Sequence, residues 1–177
     1  MTYETARQAA MAAGFTNTAP LDVATIELKP EVRDMCAKGC RQYGKRWSCP
    51  PGCGTLEEGR DLLTHYRSGI LVQTVGQLDD EFDAINMLET EKRHKAAFLS
   101  LVDTLRRQEP NILPLGSGAC TQCKTCTYPD APCRFPEKKI VSMEAFGMLV
   151  LEVCKANDLT YYYGSKNIAY TACILLE

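Results

Sequence analysis

Histidine is almost missing from this chain: two residues, His65 and His94, in 177. With so few imidazoles and no G-x-S-x-G elbow, a hydrolytic triad has no support. No glycine-rich phosphate loop occurs either; "GSGAC" (116–120) reads as a turn leading into cysteines. No apolar run approaches the roughly 20 residues needed to cross a bilayer. Neither sign of charge prevails: 20 Lys and Arg stand against 22 Asp and Glu, a net charge of −2. No global field therefore argues for nucleic acid or an anionic membrane as partner. The first residues, "MTYETARQAAMAAG", lack a basic start followed by an apolar run. Together these absences predict a cytoplasmic protein. A chain of this length is expected to form one domain over 1–177, with a core that needs no disulfide staples.

Cysteine is what the chain has in excess, with 10 residues. In a reducing cytosol, dense cysteine points to metal or redox chemistry rather than to disulfides. Eight of the ten fall into two groups. Cys36, Cys40, Cys49 and Cys53 lie in the segment 33–54, and Cys120, Cys123, Cys126 and Cys133 in the segment 118–136.

The pattern between them is that of an α/β protein. Helices are expected over 3–13, 55–67, 79–108 and 142–156, and strands over 21–28, 68–75, 111–119 and 168–177. Thr55 with Glu58 three residues on is a capping-box signature, and Pro30 reads as the end of the first strand. Phe82, Ile85, Phe98, Val102 and Leu105 form the apolar stripe expected of the third helix. The predicted fold class is α/β, a single-sheet α/β sandwich with two cysteine-rich metal-binding loops. Each loop is expected to follow a strand and precede a helix, which would bring both to one edge of the sheet.

The second group reads C-x2-C-x2-C with a further cysteine six residues later. Three thiolates at that spacing can wrap a cubane and bond three of its irons, and Cys133 can close the site. Zinc is the competing reading, although tetrahedral zinc more often takes two separated pairs. The first group, C-x3-C-x8-C-x3-C, is no standard zinc ribbon. Arg33, Lys38, Arg41, Lys45 and Arg46 crowd it, and such charge stabilises a dianionic cluster or an anionic ligand. If Cys53 ligates, the site is closed and suits electron transfer. If it does not, one iron is open to substrate, and Lewis-acid or sulfur-transfer chemistry becomes available. Trp47 and Tyr43 read as cover for the site. Cys154 and Cys173 read as small core residues, and His65 and His94 as surface residues of charged helices. Glu144 reads as a helix-dipole carboxylate beside the second loop.

Four stretches, "CAKGCRQYGKRWSCPP" (36–51), "GACTQCKTC" (118–126), "PCRFPEKK" (132–139) and "SMEAFG" (142–147), carry a resemblance. The chain resembles a family of small, uncharacterised, cysteine-rich predicted metal-binding proteins of bacteria and archaea, many of them anaerobes. The resemblance runs from about residue 20 to the end and implies a metal site, but no settled activity. It carries to Cys36, Cys40 and Cys49 and to Cys120, Cys123, Cys126 and Cys133, and not clearly to Cys53; the expected cluster ligands are all eight, Cys53 included. The reading that results is a cytoplasmic protein with two [4Fe–4S] clusters and a redox partner protein. Its catalytic residues are unknown. The alternatives are an open-site cluster enzyme and a structural zinc module.

Overall fold

The computed structural model describes residues 1–177. The chain is an α/β fold around one mixed sheet of five strands. These are β1 (Asn17–Asp22), β2 (Ser68–Gln77), β3 (Leu113–Gly116), β4 (Val141–Ser142) and β5 (Asn167–Leu176). Their order across the sheet is β1-β2-β5-β3-β4. All neighbours are antiparallel except β3 and β4, which run parallel with Leu115 opposite Val141.

Six helices accompany the sheet: α1 (Tyr3–Ala12), α2 (Pro30–Gly39), α3 (Leu56–Leu63), α4 (Ala84–Arg106), α5 (Met143–Phe146) and α6 (Val150–Ala156). The two central strands, β2 and β5, sort their side chains by the two-residue period of an extended chain. Ile70, Val72, Ala172, Ile174 and Leu176 face one way. There they meet Ala6 and Ala10 of α1 and Phe98, Leu101, Val102 and Leu105 of α4. Leu71, Cys173 and Leu175 face the other way, against Leu63 of α3, Phe146 of α5 and Val150 and Val153 of α6. The sheet is therefore covered on both faces, which is why its central strands read as nearly unbroken apolar runs.

Several elements fall where the sequence places them. The capping box is formed: Thr55 Oγ1 accepts from Glu58 N at 3.1 Å, and Thr55 N donates to Glu58 Oε2 at 2.7 Å. Cys154 and Cys173 lie in the core, fully buried.

Other expectations are corrected. The first strand lies earlier, at Asn17–Asp22, because Asp22 caps a 3-10 turn over Val23–Thr25. Pro30 does not end a strand; it opens α2, at the helical position where its missing N–H costs nothing. Residues 33–39 are thus helical rather than loop, and the first cysteine loop follows a helix. The long third helix begins only at Ala84, with Asp83 as its cap, accepting from Asn86 N at 3.1 Å. That leaves Phe82 and Ile85 outside the core, 82% and 73% exposed. The expected helix 142–156 is split at Gly147, whose φ of +108° ends α5. The left-handed backbone favours glycine there, and a Cβ would also press on the tip of Leu56, 2.5 Å away.

His94 is the largest surprise in the core. It is fully buried between Phe15, Phe98 and Tyr170, with Nδ1 3.0 Å from Thr74 Oγ1 and Nε2 without a partner. Of its charged neighbours in sequence, Lys92 and Arg93 are exposed, while Glu91 and Lys95 are half-buried and pair with each other at 2.6 Å.

Candidate metal centre

Two irregular segments sit together at one end of the sheet. The first joins α2 to α3 and holds Cys40, Cys49 and Cys53, while Cys36 belongs to the last turn of α2. The second joins β3 to β4, with only a 3-10 turn at Pro136–Lys138 to regularise it. It holds Cys120, Cys123, Cys126 and Cys133. All ten cysteines of the chain are free thiols.

The two segments are stitched by hydrogen bonds from the first to the second. Arg46 Nη1 donates to the Cys120 carbonyl at 3.1 Å, while its Nε holds Gln42 Oε1 at 2.8 Å. Cys120 N donates to Ser48 Oγ at 3.2 Å. Trp47 N points at Cys126 Sγ, 3.5 Å away, and its indole N–H reaches the Ala131 carbonyl at 3.0 Å. The indole also meets Tyr128 edge-on, with centroids 4.9 Å apart. Tyr128 can approach this closely because residue 52 is glycine; a Cβ there would lie 2.7 Å from its ring. The second segment is further tied within itself by Arg134 to the Thr125 carbonyl and by Thr127 Oγ1 to the Pro132 carbonyl, both 2.8 Å.

This stitching creates two pockets. One is lined by all four cysteines of the second group, Cys120, Cys123, Cys126 and Cys133, with Trp47 and Arg46 as wall. The other is lined by Cys36, Cys40 and Cys49, with Glu144 and the Gly118–Ala119 backbone completing it. Cys53 is not part of that second wall: its Sγ lies 3.5 Å from the Ala145 carbonyl, to which it donates. The thiols line their pockets without converging, and no three His, Cys, Asp or Glu side chains gather closely enough to hold a single ion.

The electrostatics of the two pockets differ. Burial pushes the Cys36, Cys49 and Cys53 thiols up. At Cys36 the neighbouring Cys40 and the Glu144 carboxylate add to that, against Arg33. Cys126 goes the other way. Burial again opposes ionisation there, but the backbone N–H groups of Trp47 and Tyr128 and the Arg46 charge outweigh it and favour the thiolate. Arg46 acts on Cys49 in one pocket and on Cys126 in the other. It is the cation the two sites share.

The structure thus brings seven of the eight candidate cysteines onto two pocket walls and leaves Cys53 off both, within electrostatic reach of Cys36 and Cys49. It moves Glu144 from the second loop to the first pocket. Arg46, visible in the sequence only as one base among five, becomes the link between segments, and Ser48 and Tyr128 carried no sequence signal. His65 is exposed, as expected, whereas His94 is in the core and far from a surface role.

The chain is thus an α/β scaffold that presents two thiol-lined pockets. A family profile described as predicted metal-binding protein (DUF2284) matches residues 19–176, and the chain belongs to that family. No curated protein and no solved structure matches it.

Proposed function

We propose that the chain is an iron–sulfur protein with two [4Fe–4S] clusters, one in each thiol-lined pocket, and that it passes single electrons in anaerobic metabolism. The observation that carries this reading is the pairing of the pockets. Two sets of thiols lie side by side, joined through Arg46, Ser48 and Trp47. Four thiols spread round one pocket suit a multi-iron core, whose ligands sit at separate corners. A lone zinc draws its four sulfurs to about 2.3 Å from one point. The N–H donor at Cys126 and the guanidinium of Arg46 are groups of the kind that stabilise a reduced, more negative cluster.

The partner follows from charge. Lys38, Arg41, Lys45, Lys124, Arg134 and Lys138 are exposed around the two segments, although the whole chain is slightly acidic. A basic rim of this kind suits an acidic redox partner protein, steered by long-range attraction. No helix is long and apolar enough to cross a membrane. Free thiols in this number suit the reducing cytoplasm we propose for it.

Anaerobic potentiometric titration, followed by visible absorption and electron paramagnetic resonance, tests the reading. Two reversible one-electron steps are expected. Iron that is present but cannot be reversibly reduced would contradict electron transfer. In the same titration Arg46→Gln is expected to move both steps to lower potential, because the lost cation favoured the reduced state of each cluster. The shift should be on the order of 50 mV, the equivalent of about 1 kcal/mol for one electron.

A further inference from the structure

We propose that Glu144, rather than Cys53, is the fourth donor of the first metal site, beside Cys36, Cys40 and Cys49. The proposal rests on the metal reading above and concerns which side chains of this pocket would face the metal. Among the side chains that line the pocket, which include Gln42, Tyr43 and Ser142, these three thiols and the Glu144 carboxylate are the ones best suited to iron. Cys53 does not line this pocket, although it lies close enough to act on the Cys36 and Cys49 thiols, and its Sγ donates to the Ala145 carbonyl at 3.5 Å.

Glu144 is held in place without being used. It belongs to α5, whose first turn is pinned by Ser142 Oγ accepting from Ala145 N at 3.0 Å and whose end is fixed by the left-handed Gly147. The carboxylate is half-buried and joins none of the ion pairs of the chain. The other half-buried glutamates do pair: Glu91 with Lys95 and Glu109 with the chain's amino terminus. The carboxylate thus lines one pocket with three thiols and has no cation of its own, and a carboxylate is a competent ligand for iron.

The choice of oxygen over sulfur has a chemical consequence. A carboxylate is a harder donor than a thiolate and is exchanged more readily from a thiophilic iron. A second cavity meets the pocket at this very corner. It shares Cys36, Cys40 and Glu144 and is otherwise walled by Val32, Met35, Leu149, Leu151 and Tyr161. This cavity would give a small, largely apolar ligand access to the corner of the pocket where Glu144 would hold the metal.

The test compares the full-length protein, reconstituted without oxygen, with Cys53→Ser, Glu144→Ala, Glu144→Gln and Glu144→Cys. Iron per chain and the paramagnetic resonance spectrum are read before and after mild oxidation with ferricyanide. Cys53→Ser should match the wild type. Glu144→Ala and Glu144→Gln should each lose about one iron of about four from the first site on oxidation and give a three-iron signal, with the second site unchanged. Glu144→Cys should keep its iron and resist that loss. Circular dichroism separates these effects from misfolding, and Glu144→Gln keeps the shape of the side chain. If Glu144→Ala and Glu144→Gln behave as wild type, or if Cys53→Ser loses the first site, this proposal is overturned and the metal reading stands. A wild-type chain that takes up no metal overturns both.

Discussion

Cys126→Ser is expected to strip one whole cluster from the protein, about four irons of about eight, and to leave the other in place. The four thiols of the second segment share one pocket, so no spare donor stands behind any of them. Cys126 is also the thiol that its surroundings prepare for ionisation, through the Trp47 and Tyr128 N–H groups and Arg46. A serine hydroxyl at that position stays protonated at neutral pH and binds iron weakly by comparison. The segment itself should survive the change. It remains tied by the Trp47 indole to Ala131, by Arg134 to Thr125 and by Arg46 to Cys120. Iron and acid-labile sulfide should fall by about half while the far-ultraviolet circular dichroism stays unchanged. Full retention of iron would remove Cys126 from the site.

Acid should weaken the fold through His94, independently of any metal. Burial, with a smaller push from Lys95, lowers this imidazole from 6.5 to about 4. Thr74 meets its Nδ1, Phe15 and Phe98 cover its ring, and Tyr170 and Lys95 are the titratable neighbours. The sign follows from linkage. The unfolded chain binds this proton near pH 6.5 and the folded chain only near pH 4, so the unfolded state holds more protons in between. The full contribution to stability is present above about pH 6.5. It is lost as the pH falls, by about 2 kcal/mol at pH 5 and roughly 3 kcal/mol by pH 4. Urea unfolding of wild type and His94→Phe at pH 7.5 and pH 5 measures it. Loss of metal at the lower pH affects both proteins alike, so the difference between them isolates the histidine. Wild type should lose about 2 kcal/mol more than His94→Phe over that interval. Equal losses would show that the imidazole is not buried neutral.

These two results bear on different layers of what the sequence discloses. The cysteine groups were legible because ligand spacing is local: C-x2-C-x2-C states its geometry within seven residues. The alternation of strands and helices was legible too, since β2, β5 and α4 carry their periods along the chain. Local signals failed where two meanings share one residue. Pro30 marks the start of a helix as readily as the end of a strand. His94 sits among charges that suggest solvent. Yet Thr90, His94, Ala97, Phe98, Leu101 and Leu105 share the buried face of α4, and their helical spacing holds the correct answer. The three thiols of the first pocket could be read as a group, but the Glu144 part of its wall could not. Glu144 lies more than ninety residues from Cys49, and only the close packing of α2 with α5 brings the two segments together. The same holds for Arg46, whose reach to Cys120 spans 74 residues.

The most direct test of the central claim is a count of iron, zinc and acid-labile sulfide on protein purified without oxygen, with the visible spectrum taken before and after dithionite. The account predicts about eight irons with matching sulfide per chain, and a brown colour that bleaches on reduction. Zinc without sulfide would contradict it and leave a structural metal module in its place.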